Sequence, residues 1–223
     1  MHLTTEFPPL VYGGLGTAVG GLAAASVRFG IEVAVFLVGG DGDPSYQRVA
    51  GYEPVFGPGC CMSNSSGIRV VPATHFSAKE RGVRFVREWR PDVLHLHSFW
   101  LWPVAEAIRR RTGVPIVYTV HSLDRAEYEI GQGPPECLTQ WQIQECAIAQ
   151  SDAIVALTGA ERDLIEEYLP GSWSRVHVVG NGIDVSKVPL SSIAGRKRAR
   201  EEVTILFSGR FVERKGVKVS ATV

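Results

Sequence analysis

Short apolar runs alternate with longer stretches of helical character along most of the chain. Met1–Thr4 reads as a brief strand, and Glu32–Val38 is apolar nearly throughout, as a parallel strand covered on both faces should be. Ile68–Val71, Asp92–His97, Val114–Thr119, Asp152–Leu157 and Arg175–Val179 continue the series of strands. Between them the spacing predicts helices from about Thr17 to Arg28, Phe76 to Arg90, Trp102 to Arg111 and Pro135 to Gln150. Thr158-x-x-Glu161 is a capping box that opens one more. This alternation predicts an α/β fold, a Rossmann-like doubly wound parallel sheet with right-handed crossovers.

Two stretches depart from the pattern. Gly39 to Gly67 is dominated by glycine, proline and serine and reads as one long loop. Beyond Asp184 the alternation breaks: 186–202 reads as a linker rich in Ser, Lys and Arg, and Val203–Phe207 as a new strand. The expected division is 1–185 as one Rossmann-like domain, 186–202 as linker and 203–223 as the start of a second domain. An apolar strand without its own sheet is expected to dock on its domain or to pair with a second copy, giving a homodimer through 203–207.

Parallel sheets bind ligands beyond the carboxyl ends of their strands. That rule selects the loop Glu6–Thr17, His97 to Trp102, His121 to Gly133, and Gly180 to Asp184. In the first of these, Gly13, Gly14 and Gly16 allow a ligand close to the main chain. The following helix start offers unpaired N–H groups and the positive end of its dipole, which together suit a phosphate. A dinucleotide fingerprint is the rival reading, but its third glycine would fall at 19, where valine stands. Asp41 sits about where a ribose-binding acid would be expected.

His95 and His97 lie two apart on a strand and so face the same way. Zinc would need a third protein ligand, for which His121 is the candidate. The preferred reading assigns no metal: one histidine packs in the sheet and the other lines the cleft. Phe99, Trp100 and Trp102 are either a core cluster or a stacking platform for a sugar or apolar ring. His121 could hydrogen-bond a substrate hydroxyl. Asp124, Glu127 and Glu129 read as carboxylates in one polar loop. Arg210 and Lys215 flank Gly209 and Gly216 after a strand, as phosphate-binding cations do.

Composition excludes more than it selects. Twenty-three basic residues balance twenty-three acidic ones, which argues against nucleic acid as a partner. No apolar run approaches the roughly 18 residues of a membrane span, and no signal peptide is apparent. Cys60 and Cys61 are adjacent, while Cys137 and Cys146 share a predicted helix. Nine residues of helix put that second pair ~13 Å apart, beyond the about 7 Å of a disulfide. A reducing, cytoplasmic setting is expected.

Taken together, Glu6-Phe-Pro-Pro with Gly13-Gly-Leu-Gly16, Pro91-Asp-Val-Leu-His-Leu-His97, Thr119-Val-His121, Asn181-Gly-Ile-Asp184, and Gly209-Arg210 with Lys215-Gly216 resemble the retaining nucleotide-sugar glycosyltransferases of the GT-B fold. That broad group includes glycogen and sucrose synthases. The resemblance implies two Rossmann-like domains across a cleft, the first mainly holding the acceptor and the second the nucleotide sugar. It implies that the amides of Gly13, Gly14 and Gly16 approach the donor diphosphate, that His121 sits near the transferred sugar, and that Arg210 and Lys215 neutralise the leaving diphosphate. Glu6, Tyr12, His97, Trp100 and Asp124 are the candidates for the acceptor or sugar. No cofactor is implied beyond an ADP-, UDP- or GDP-linked sugar as co-substrate, with a sugar or glycan as acceptor. Two departures stand out. Such families carry a glutamate pair in the second domain that this chain lacks, and Ser98 stands where many relatives have an acid. The chain is therefore expected to be the acceptor half plus a stub of the donor half, inactive alone. A non-catalytic carbohydrate-binding module and a fragment of an NAD-dependent oxidoreductase are the alternatives.

Overall fold

The computed structural model describes residues 1–39, 53–55, 61–63, 67–131 and 135–185. In chain order the elements are β1 (His2–Thr4), α1 (Gly14–Arg28), β2 (Ala34–Gly39), β3 (Glu53–Val55), β4 (Cys61–Ser63), β5 (Arg69–Thr74), α2 (Ala78–Trp89), β6 (Leu94–Leu96), α3 (Trp102–Thr112), β7 (Ile116–Thr119), α4 (Asp124–Glu129), α5 (Glu136–Gln150), β8 (Ala153–Ala156), α6 (Gly159–Tyr168) and β9 (Val176–Val178). One sheet joins the strands in the order β3-β4-β5-β2-β1-β6-β7-β8-β9. From β5 to β9 every pairing is parallel, while β3 and β4 extend the edge antiparallel. The strand order reverses direction between β1 and β6, so a crevice opens there at the carboxyl ends.

The two faces of the sheet are built from one alternation. Val35 and Leu37 of β2 pack with Val19 and Ala23 of α1, and with Phe7, Val33, Ile68 and Val70. Ala34, Phe36 and Val38 point the other way, into the larger core that contains residues of α2, α3, α5 and α6. All six residues of β2 are buried, which is why the run shows no polar alternation. At fully buried Val19 the third glycine of a dinucleotide fingerprint is replaced by a core side chain. That argues against the nicotinamide reading.

Glycines inside α1 have a packing cause. A Cβ on Gly20 would stand 2.6 Å from Pro8 Cγ and 2.8 Å from its Cδ. A Cβ on Gly16 would stand 3.1 Å from Glu6 Cβ. The helix therefore lies closer to the Glu6–Pro8 segment than any side chain would permit.

The structure corrects three boundaries. The first helix begins at Gly14 rather than about Thr17, so Gly14 and Gly16 are already helical. The long loop expected over 39–67 contains β3 and β4. Their short, weakly patterned sequences become strands because the open edge of β5 supplies hydrogen-bond partners. The stretch holding Asp124, Glu127 and Glu129 is a helix, α4, and not a loop. The capping box at Thr158 forms, with Thr158 Oγ1 accepting from Glu161 N at 3.1 Å. Glu161 Oε2 returns to the N–H of Leu157, one residue before the cap.

Candidate functional site

The loop between β1 and α1 is an anion site that the protein itself fills. Glu6 Oε2 accepts the main-chain N–H groups of Tyr12 at 3.0 Å, Gly13 at 3.0 Å and Gly16 at 3.3 Å. Two expectations are corrected by this one oxygen. The amides of Gly13 and Gly16 are spent on a carboxylate and not held open for a diphosphate. Glu6 is a brace for the loop, so its Oε2 is not available to an acceptor sugar. The physical chemistry expected of the loop is present, since helix-start amides do gather around a negative charge. The charge is internal.

What remains open is narrower. Among the described residues no partner is recorded for the amides of Gly14 and Leu15, the first two residues of α1. A cleft of about 510 Å³ lies over this end of the helix, lined by Val11, Tyr12, Gly13, Gly14, Thr17, Ala18, Asn181 and Gly182. An added Cβ on Gly13 or Gly14 would meet nothing within 4 Å, so both glycines border empty space. Tyr12 is exposed. Asp184, just beyond the cleft, pairs with Arg28 at the far end of α1, at 3.4 Å.

The second constellation is a column of histidines. His2 and His95 are register partners on adjacent strands, and their rings lie 5.3 Å apart. His97 Nε2 meets His2 Nδ1 at 2.9 Å, and His97 Nδ1 meets His121 Nε2 at 3.2 Å. The ring of His95 lies against that of His97, centroids 4.1 Å apart, and its Nε2 bonds Thr119 Oγ1 at 2.7 Å. Burial is the main reason all four rings stay uncharged. It lowers the pKa of His2 to about 3 and those of His95 and His121 to about 4, and holds that of His97 well below the ordinary value.

This column corrects the reading of His97. It is buried, with both ring nitrogens bonded to other histidines, so it supports His121 and does not line the cleft. The histidines that converge most tightly are also not the expected trio. Ring nitrogens of His2, His95 and His97 lie within 4.8 Å of one another, with His121 outside that group.

His121 stands at the carboxyl end of β7, and the turn after it is pinned from below. Gln144 of α5 is fully buried. Its Nε2 donates to Ser122 O at 2.6 Å and Tyr118 Oη at 3.0 Å, and its Oε1 accepts the N–H of Asp124 at 3.0 Å. Asp124 is itself buried as the first residue of α4. Burial removes it from a solvated rim of exposed carboxylates.

The aromatic stretch divides. Phe99 and Trp102 are buried, while Trp100 is half exposed and stacks on Phe99 at 4.8 Å. His121, Trp100 and Asp124 are not among the residues lining the 510 Å³ cleft. Arg210, Lys215, Asp41, the linker 186–202 and the strand 203–207 lie outside the described residues.

Sequence reasoning missed His2 and Gln144. His2 carried a signal, a polar side chain in an otherwise apolar strand end. Gln144 carried one too: it stands three residues after Trp141 and four before Ile148, on the apolar stripe of its helix.

The sequence model of Glycosyltransferase Family 4 matches residues 12–187. The chain is 26% identical to a glycogen synthase of Mycobacterium tuberculosis over 241 aligned positions, covering 97% of this chain and 55% of that protein. The chain spans about half the length of the curated relatives it matches. Among solved structures it resembles a sucrose-phosphate synthase of Thermosynechococcus elongatus, with TM-score 0.58, 13% identity and coverage of 83% of this chain and 48% of that one. It also resembles Anabaena HepE in complex with UDP-glucose, with TM-score 0.56, 15% identity and coverage of 83% and 44%. Among the described residues no helix is long and apolar enough to cross a membrane.

Proposed function

The chain belongs to Glycosyltransferase Family 4, and from that membership we propose that it supplies the acceptor-side face of an enzyme moving a sugar from a nucleotide donor to a hydroxyl acceptor. The fold is that of a GT-B amino-terminal domain. The donor is a UDP-, ADP- or GDP-linked sugar, and the acceptor is a sugar or glycan. Transfer proceeds with retention. Charge developing on the leaving diphosphate is met by prearranged N–H donors and not by a protein nucleophile.

The observation that carries this reading is the cleft over the start of α1. There the amides of Gly14 and Leu15 have no partner among the described residues, and two glycines leave room for a bulky anion. Glu6 orients these amides by tying down their neighbours at Gly13 and Gly16. His121, held neutral by burial, offers a hydrogen bond to a sugar hydroxyl at no charge cost. Exposed Tyr12 and Trp100 offer faces on which a sugar ring can lie.

Titration of the ¹⁵N-labelled chain with UDP, ADP and GDP tests the proposal. The amide resonances of Gly14 and Leu15 are expected to move in proportion to ligand, and Gly14→Val to abolish the movement without unfolding the chain. Silence at both amides, or movement with NAD alone, would overturn it.

A further inference from the structure

His97 has two ring nitrogens and, being uncharged, one ring proton. Both nitrogens are engaged, one with His2 and one with His121. If His97 donates from Nε2 to His2, its Nδ1 must accept from His121. If it donates from Nδ1 to His121, its Nε2 must accept from His2. We infer that His2, His97 and His121 form one coupled chain in which all three rings carry their proton on the same-named nitrogen, Nε2 throughout or Nδ1 throughout.

The ends of the chain make this consequential. His121 Nδ1 and His2 Nε2 have no protein partner among the described residues, yet no buried side-chain nitrogen there lacks one. Both end nitrogens therefore reach solvent. In the Nε2–H state His121 presents a bare Nδ1 that accepts a hydrogen bond. In the Nδ1–H state it presents a donor. Whatever meets His2 Nε2 biases which of these a ligand finds at His121, and by linkage a ligand at His121 biases His2. His2 is thus a positioning residue acting through His97. Burial supports the picture, since it disfavours the imidazolium that would break the chain.

The importance of the coupling for sugar binding rests on the proposed role of His121, but the coupling itself does not. Long-range ¹H–¹⁵N spectra of the histidine-labelled chain at pH 7.5 report the protonated nitrogen of each ring. Equal tautomer fractions at His2, His97 and His121 are expected, and His2→Phe is expected to shift the fraction at His121. His97 and His121 protonated on unlike nitrogens, or a folded His2→Phe chain with His121 unchanged, would overturn it. So would stoichiometric zinc in the purified chain, because the metal would take the lone pairs the chain uses. The wild-type measurement decides even if His2→Phe does not fold. Loss of the nucleotide response at Gly14 would sink the donor reading and leave these tautomers as they are.

Discussion

Glu6 Oε2 sits 3.0 Å from the main-chain nitrogen of Gly13 and accepts a hydrogen bond from its N–H. Tyr12 and Gly16 donate to the same oxygen. A residue seven positions back along the chain thus holds the glycine loop in place. Glu6→Ala should cost about 1.5–3 kcal/mol, the range for hydrogen bonds to a charged group. Glu6→Gln should cost less, since an amide oxygen still accepts. Urea unfolding measures both. In Glu6→Ala the freed amides of Gly13 and Gly16 should also respond to pyrophosphate, and their continued silence would show that they are not equivalent to Gly14 and Leu15.

Gly20 and Gly21 are neighbours in α1 with opposite surroundings. A Cβ at Gly20 would overlap Pro8, whereas one at Gly21 would meet nothing within 4 Å. Gly20→Ala should therefore destabilise by about 1–3 kcal/mol through overpacking. Gly21→Ala should stabilise by up to about 1 kcal/mol through helix propensity. Equal effects of the two substitutions, read from thermal unfolding, would show that packing on Pro8 does not explain the glycine.

Gln144 makes three hydrogen bonds from full burial and holds the turn that follows His121. Gln144→Leu leaves the N–H of Asp124 and the carbonyl of Ser122 without this partner. A loss of about 2–4 kcal/mol is expected, from unpaired groups costing 1–3 kcal/mol each less the gain from apolar burial. Urea unfolding gives the size, and a displaced His121 resonance shows that the turn has moved. A folded variant with unchanged stability and an unmoved His121 would remove Gln144 from the support of the site.

The histidine column fixes a pH window. The pKa values of His2, His95 and His121 are lowered from 6.5 to about 3, 4 and 4 in the folded chain, mainly by burial. Below 6.5 the unfolded chain binds more protons than the folded one, so stability falls as pH falls. The histidine contribution is full above about 6.5 and is lost progressively towards 4. The urea midpoint should drop between pH 7.5 and pH 5, a range in which ordinary carboxylates, near 4, contribute little. His95→Phe should flatten the drop. A midpoint that does not move across this range would show that the rings are charged or exposed.

The fold was largely legible because strands buried on both faces leave unbroken apolar runs, as at Ala34–Val38, and those runs survive in any context. Helix starts were less so. Gly14 and Gly16 read as loop because glycine is a poor helix former, yet α1 needs Gly16 to approach Glu6, as it needs Gly20 to approach Pro8. β3 and β4 were illegible because an edge hairpin is decided by the strand beside it, here β5.

The amino-acid order alone determined that a parallel α/β sheet would form, that glycines would follow its first strand, and that histidines would stand at neighbouring strand ends. These are properties of local pattern, and local pattern is written in adjacent residues. Only the tertiary structure decided that Glu6 fills the loop, that His2 joins His97 across 95 positions of chain, and that Gln144 carries the turn below His121. The first depends on how the loop folds back on itself, the second on which strands pair and in what register, and the third on how α5 packs beneath β7. A hydrogen bond a few ångströms long between distant residues exists only after the sheet has brought them side by side.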